Sequence, residues 1–193
     1  MDIIIPIVIL LVIIVGIWKL IAIPNTIKAE RERLEHKLLN LNDFDPSQKF
    51  QALNGVIGLD EDNKKFAIID SNNHYIFSFE DLIESEILQN ETTVTKTSRS
   101  SQIAGAIVGG ALVGGAGAVI GGLSGKQHSS KRIQRLTLKL TVNNLSNPVF
   151  YLHFFNSSTP TSGNDIAVVK ATDSINHWHG MFSVILKRNL SDS

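Results

Sequence analysis

The chain has no cysteine, which excludes disulfide bonds and thiolate chemistry and fits a reducing compartment. It has no excess of either charge, because 18 lysines and arginines balance 18 aspartates and glutamates. There is therefore no overall field to attract nucleic acid. Aromatic residues are scarce, at 7% of the chain, and most lie in Phe66–Phe79 and Phe150–Phe155. These stretches are expected in the core of one domain, and the length leaves room for additional segments.

A recognisable catalytic or phosphate-binding pattern is also lacking. His177 and His179 lie two positions apart, a spacing at which helical side chains do not face each other. Gly125-Lys126 is followed by Gln127, so the glycine-rich stretch lacks the ending of a Walker loop. The carboxylates at positions 80–86 fit a solvated strand face better than an acid–base pair. We therefore expect no enzyme, no cofactor and no metal.

The first segment, residues 1–24, is typical of a transmembrane anchor. Ile3–Ile23 is almost entirely Ile, Leu and Val, and about 20 such residues span the hydrocarbon core as a helix. Trp18 and Lys19 lie near its end, where an indole and an ammonium suit the membrane interface. A cleaved signal peptide fits less well, because no basic residue precedes the run. Basic residues follow it, which predicts a cytoplasmic domain and an external N-terminus.

The next segment, residues 25–42, is predicted to be a charged juxtamembrane helix. Its apolar residues form one narrow stripe, with spacings of seven, four and three: Ile27, Leu34, Leu38 and Leu41. The stripe is short for a coiled coil, so docking on the domain is favoured.

Residues 43–190 have the patterning of an antiparallel sheet followed by one helix. Strands are expected at Val56–Leu59, Phe66–Ile69, His74–Phe79, Ile133–Val142 and Val149–Phe155, all in one sheet with the last strand central. Asp81–Leu88 fits a strand or a helical turn, Glu91–Ser101 an edge strand, and Asn156–Asn164 a loop.

The helix is expected over Ile166–Lys187, capped by Asn164 or Asp165. Its apolar residues recur at steps of three and four, and Trp178 and Phe182 are predicted core residues.

The segment at residues 103–125 interrupts this domain with an uncharged, glycine-rich stretch. Three pairs of glycines lie four residues apart: Gly105 with Gly109, Gly110 with Gly114, and Gly117 with Gly121. On a helix this spacing makes a smooth strip that another helix can approach closely, in lipid or in a second copy. A flexible linker is the alternative, although the intervening isoleucines, valines and leucines disfavour it.

Basic residues flank both ends of the glycine-rich stretch, which argues that both ends stay in the cytoplasm. A single crossing would also divide the expected sheet between two sides of the membrane. We therefore expect a hairpin of two short helices broken near Gly114-Gly115. The hairpin dips into the inner leaflet, pairs between copies or folds against the domain, and its large apolar surface favours the first two.

The order of strands followed by one helix around a tryptophan resembles the pleckstrin-homology-like (PH-like or GRAM-like) domains of small bacterial membrane proteins. The resemblance lies in Phe66–Ile69, His74–Leu88, Arg135–Val142, Val149–Phe155 and the helix around Trp178. Some of those proteins also carry a glycine-zipper stretch between strands. The resemblance implies an α+β domain that is a binding platform for lipid headgroups or protein segments, and no ligand residues are carried over.

The sequence therefore predicts a non-catalytic interaction or regulatory module of the bacterial inner membrane. Its expected partners are membrane lipid, further copies through the glycine faces, and an unidentified protein. A first alternative is a membrane-active effector, of the toxin or phage-exclusion type, whose glycine helices oligomerise and perturb the bilayer. A second is a membrane-bound enzyme that uses His74, His153 or His177.

Overall fold

The computed structural model describes residues 4–99 and 132–191. In these ranges two α-helices accompany two four-stranded antiparallel sheets. In chain order the elements are α1 (Ile4–Leu39), β1 (Gln48–Ala52), β2 (Gly55–Asp60), β3 (Lys65–Ile69), β4 (His74–Ser78), a 3-10 turn (Phe79–Asp81), β5 (Leu82–Gln89), β6 (Thr92–Ser98), β7 (Arg132–Val142), β8 (Val149–Ser162) and α2 (Ile166–Ser191).

The first sheet has the strand order β1-β2-β3-β4. Three of its strands coincide with predicted ones, because their apolar residues alternate or run continuously. The β2–β3 turn is fixed by Asp60, whose carboxylate accepts hydrogen bonds from the backbone N–H groups of Asp45 and Asn63. β1 was not predicted, since its only apolar residues are Phe50 and Ala52.

The second sheet has the order β6-β5-β7-β8, with α2 packed on one face. The strands therefore form two sheets, and the prediction of one sheet is wrong. β8 lies at an edge of its sheet and continues to Ser162, so the expected central position and the expected loop at Asn156–Asn164 are also wrong. Asp81–Leu88 proves to be mostly strand, as β5.

β6 and β7 lie on opposite sides of β5 and run parallel to each other, because each is antiparallel to β5. Ser98, the last residue of β6, pairs with Glu84 near the start of β5. Leu136 of β7 pairs with Gln89 at the other end. At about 3.3 Å per residue, the two ends of β5 are roughly 20 Å apart. The chain thus leaves the sheet at one end and returns at the other.

The main core lies between the two sheets and α2. Alternation in β7 turns Leu136, Leu138, Leu140 and Val142 inward, as their spacing predicts. From α2, Trp178 is 3% exposed and Phe182 is fully buried, with its ring 5.4 Å from that of Phe66. α2 begins where expected: the Asp165 carboxylate accepts a hydrogen bond from the Ala167 N–H and caps the helix.

α1 is one continuous helix, so the boundary predicted near residue 24 falls inside it. Within residues 4–99 and 132–191, no helix combines the length and the apolarity needed to cross a membrane. The anchor at residues 1–24 stays a prediction.

Candidate functional site

The C-terminal end of α1 docks on the outer face of the first sheet through Leu34 and Leu38 of the predicted stripe, whereas Ile27 of that stripe is 53% exposed and takes no part in the contact. A second apolar cluster, separate from the main core, forms there from Leu34, Leu38, Phe44, Val56, Ala67 and Ile69. Gly58 of β2 makes the approach close: a Cβ atom at this position would lie 2.9 Å from Leu38 Cδ1 and 3.1 Å from Phe44 Cε1. We call this contact the α1 docking surface.

Polar contacts fix the direction in which α1 leaves the docking surface. Arg33 Nη2 donates a hydrogen bond to the carbonyl of Ser71 in the β3–β4 turn, at 2.9 Å. Lys49 of β1 lies 2.6 Å from the carboxylate of Glu35. The residues before Arg33 therefore project past the end of the first sheet that carries the β3–β4 turn. As a helix, residues 4–32 would extend about 43 Å.

A buried polar network joins α2 to the second sheet. His179 Nδ1 lies 2.9 Å from Ser85 Oγ of β5, and His179 Nε2 lies 3.4 Å from Thr97 Oγ1 of β6. Ser183 Oγ donates to Thr97 Oγ1 at 3.0 Å. Burial lowers the pKa of His179 to about 4, so the ring is neutral at pH 7.

The serine–histidine pair in this network is not arranged for catalysis. Ser85 is 0% exposed and His179 is 7% exposed, so a substrate cannot reach the hydroxyl. The second ring nitrogen of His179 faces hydroxyl groups, where a nucleophilic triad has a carboxylate. Sequence reasoning missed this pair because Ser85 and His179 are far apart along the chain.

The opposite face of the second sheet carries a network of ion pairs. Glu86 binds Lys139 on β7, and Thr93 Oγ1 also donates to it at 2.9 Å. Burial raises the pKa of Glu86, but a hydrogen bond shared with Glu84 and the hydrogen bonds that Lys139 and Thr93 donate outweigh this effect and hold the pKa at about 2. Burial raises the pKa of Glu84, which pairs with Lys96 at 2.5 Å. Glu86 is 4% exposed, so the prediction of a solvated carboxylate face is wrong here.

The other histidines named from the sequence do not converge. His74 is exposed at the start of β4, and His177 Nε2 lies 2.9 Å from the side-chain oxygen of Gln48. His153 lies 3.0 Å from Thr137 Oγ1, and burial lowers its pKa. No group of three potential metal ligands occurs in the described part of the chain.

The predicted glycine pairs at 105–121 lie outside the described residues. Trp18 and Lys19 lie in α1, but their side chains also fall outside the described part. The structure does place the two ends of this connection. Arg99 Nη2 donates to the carbonyl of Glu80 in the 3-10 turn and to that of Leu82, the first residue of β5. At the other end, Asn90 Nδ2 donates to the Arg132 carbonyl at 3.0 Å.

The family comparison covers the strands from β1 into β8 and the long connection between β6 and β7. Residues 45–156 match the family model described as "Glycine zipper containing PH domain". The chain belongs to this family. The resemblance predicted from the strand pattern is thereby confirmed, and the matched range contains the connection with its glycine pairs.

Two proteins similar to this member of the glycine-zipper PH family come from Bacillus and its phage. One is the SPbeta prophage-derived uncharacterized membrane protein YomJ of Bacillus subtilis, 31% identical over 91% of this chain and 84% of its own length. The other is the immunity protein of Bacillus phage SPbeta, 31% identical over 91% of this chain and 94% of its own length. No solved structure matches the chain.

Proposed function

We propose that the chain is a membrane-anchored, non-catalytic interaction or regulatory module that holds a PH-like platform at the cytoplasmic side of a bacterial inner membrane. The observation that carries the proposal is the exposed apolar surface of α1. Each of Val8, Leu10, Leu11, Val12 and Ile13 exposes half or more of its side chain. A run of this kind needs lipid or another protein to cover it. The name of the relative from Bacillus subtilis, a membrane protein, favours lipid.

The docking surface supports the role of α1 as a rigid connection. Leu34 and Leu38 are buried against the first sheet, whereas the described apolar side chains near the N-terminus, at positions 8 and 10–13, are exposed. Trp18 and Lys19 would then lie at the interface, and the basic residues that follow would keep the domain in the cytoplasm. The glycine pairs would be helix-packing positions, either in the membrane or between copies.

A non-catalytic role is supported by the family, by the names of the relatives and by the buried serine–histidine pair. A platform binds through its surface and needs no reactive centre. The partner on this platform is a lipid headgroup or a protein segment.

Membrane fractionation of expressing cells tests the proposal. We expect the full chain to sediment with membranes and to resist alkaline carbonate extraction. The double substitution Leu11→Arg and Val12→Arg places two charges in the exposed apolar run and should release the protein. Ile76→Arg, at a residue of β4 that is 38% exposed, is the matched control and should leave sedimentation unchanged. Wild-type protein in the soluble fraction would refute the anchor.

The second candidate is a membrane-active effector that protects a cell against phage. The observation that favours it is the name of one relative, the immunity protein of Bacillus phage SPbeta. Expression should then lower the plating efficiency of a phage related to SPbeta and cause dye leakage after infection. Gly109→Leu with Gly114→Leu should abolish the leakage if glycine packing builds the pore. Leakage equal to that of wild type would argue against a glycine-packed pore.

A further inference from the structure

The β1–β2 turn fastens the first sheet to β8 of the second sheet. The Leu53 N–H donates a hydrogen bond to the His153 carbonyl at 2.8 Å. The side chain of Asn54 completes the contact: its Nδ2 donates to the Tyr151 carbonyl at 2.7 Å, and its Oδ1 accepts from the His153 N–H at 2.9 Å. We call this contact the β1–β8 corner. Both ends of the Asn54 amide are thus used, as the donor and acceptor of a neighbouring strand would be.

The β1–β8 corner supplies hydrogen-bond partners to an edge of the second sheet. Among the described strands, β8 is last in the order β6-β5-β7-β8, so its outer side has no neighbouring strand of the same sheet. The Tyr151 carbonyl and both backbone groups of His153 lie on that side, and the β1–β2 turn binds all of them. Asn54 makes most of these hydrogen bonds. The attachment of the turn to β8 therefore depends mainly on one side chain.

The same side chain belongs to a chemically reactive pair of residues. Asparagine is thermolabile, and Asn54 is followed by Gly55 in the one Asn-Gly sequence of the chain. The backbone nitrogen of the glycine can attack the side-chain carbonyl carbon of the asparagine, because glycine has no side chain to hinder the approach. A bond forms between Gly55 N and Asn54 Cγ, the Cγ–Nδ2 bond breaks, and Nδ2 leaves as ammonia with the proton of the Gly55 N–H. Water then opens the cyclic imide to aspartate or isoaspartate.

The fold requires each residue of the reactive pair for a separate reason. A Cβ atom at position 55 would lie 2.5 Å from the carbonyl oxygen of Ile69, so glycine is needed where β2 passes β3. Asparagine is needed at position 54 because its amide supplies both a donor and an acceptor to β8. Asn54 is also exposed, so water reaches the site and ammonia can leave. The β1–β8 corner therefore retains a reactive pair at the surface.

We propose that Asn54 is a site of spontaneous deamidation, and that its modification detaches the β1–β2 turn from β8. The hydrogen bonds to β8 restrain the amide, so the reaction proceeds during local opening of the corner. An aspartate side chain has no donor and places a carboxylate oxygen opposite the Tyr151 carbonyl, where two acceptors repel each other. Isoaspartate adds a methylene group to the main chain of the turn and displaces the residues that meet β8. Either product opens the corner irreversibly.

Peptide mapping by mass spectrometry of the full chain in mild detergent tests the site. During incubation at mildly alkaline pH, aspartate and isoaspartate should accumulate at position 54 at least five times faster than at Asn156, the internal control. Asn156 is also exposed, but Ser157 follows it, and the side chain of this serine hinders the attack. Urea should accelerate the conversion at position 54, because the hydrogen bonds to β8 are then lost. Conversion of Asn54 in the folded protein that is no faster than that of Asn156 would overturn the proposal.

Hydrogen exchange measured by NMR tests the detachment of the turn. Deamidation adds a negative charge, so ion exchange separates the modified wild-type protein from the unmodified protein. In the modified fraction, the N–H groups of Leu53 and His153 should exchange at least tenfold faster, because the corner that protects them is open. Equal exchange in the two fractions would refute the detachment. This protein is already folded when it is modified, so the result does not depend on the folding of a variant.

A matched pair of substitutions separates the lost donor from the added charge. Asn54→Asp reproduces one product and should lower the melting temperature and accelerate exchange at the corner. Asn156→Asp makes the same chemical change on β8, where Asn156 Oδ1 accepts a hydrogen bond from Arg135 Nε at 3.3 Å. A carboxylate preserves this acceptor, so the melting temperature of Asn156→Asp should not fall. An equal fall in both variants would assign the effect to the charge and overturn the role of the Asn54 amide.

Discussion

The α1 docking surface predicts a large and specific effect of Leu38→Ala. Leu38 is fully buried between α1 and the first sheet, and it packs against Gly58, which has no side chain to fill a void. Removal of a buried leucine side chain costs about 2–5 kcal/mol, and more where the surroundings cannot collapse. Because the cluster is small but tightly closed, we expect the free energy of unfolding to fall by about 3 kcal/mol.

The measurement is urea denaturation of the full chain in mild detergent. Trp178 reports unfolding of the main core by its fluorescence when Trp18→Phe removes the other tryptophan. The matched control is Leu39→Ala, one position along the helix, where the side chain is 50% exposed and the expected change is within about 0.5 kcal/mol. Equal effects of the two substitutions would show that α1 is not held by this face, and the docking argument would fail.

Three further predictions concern the domain itself. The pKa of His179 is about 4 in the folded state and 6.5 when unfolded, so the contribution of the neutral ring to stability is complete above pH 6.5 and falls by about 3 kcal/mol as the pH drops to 4. In His179→Asn, the free energy of unfolding measured by denaturation should change less between pH 7 and pH 4.5 than it does in wild type. An equal change in the two proteins would contradict the prediction. Gly55→Ala should destabilise the domain, because its Cβ would lie 2.5 Å from the Ile69 carbonyl oxygen, whereas Gly180→Ala should stabilise it by up to about 1 kcal/mol. Thermal melts should therefore show a lower melting temperature for Gly55→Ala and a higher one for Gly180→Ala. A shift in the same direction for both would contradict the prediction. Lys139→Met should cost about 2 kcal/mol by leaving Glu86 buried without its cation, and adding Glu86→Gln should recover part of the loss; no recovery would mean that the ion pair is not the cause.

Much of this fold could be predicted from local sequence patterns. β7 alternates between apolar and polar residues from Leu136 to Val142, and α2 has an apolar stripe at helical spacing with Asp165 at its start. Both elements were correctly predicted because each carries its own periodicity over many residues. The stripe of Leu34 and Leu38 likewise predicted docking, since it is too narrow for a helix buried on all sides.

What the sequence did not reveal depends on pairing between distant residues. β1 is short and mostly polar, and it becomes a strand because β2 lies beside it. The division into two sheets, the edge position of β8 and the Ser85–His179 contact arise from tertiary packing. The polar residues near Glu86 in the sequence predicted a solvated side chain. In the structure, Lys139 and Thr93 contact its carboxylate from the two neighbouring strands.

The order β6-β5-β7 also decides when the domain can fold during its synthesis. β5 closes the second sheet only by pairing with β7, and Leu82 pairs with Val142 across the whole connection. The entropic cost of closing a loop rises only slowly with its length. The pairing of β5 with β7 is therefore delayed mainly by the time needed to translate the connection and β7. The uncharged glycine-rich stretch leaves the ribosome before β7, β8 and α2 exist to form the core. The nascent chain therefore presents its most apolar internal segment to membrane and chaperones first, and the finished domain must fold around whatever that segment has already bound.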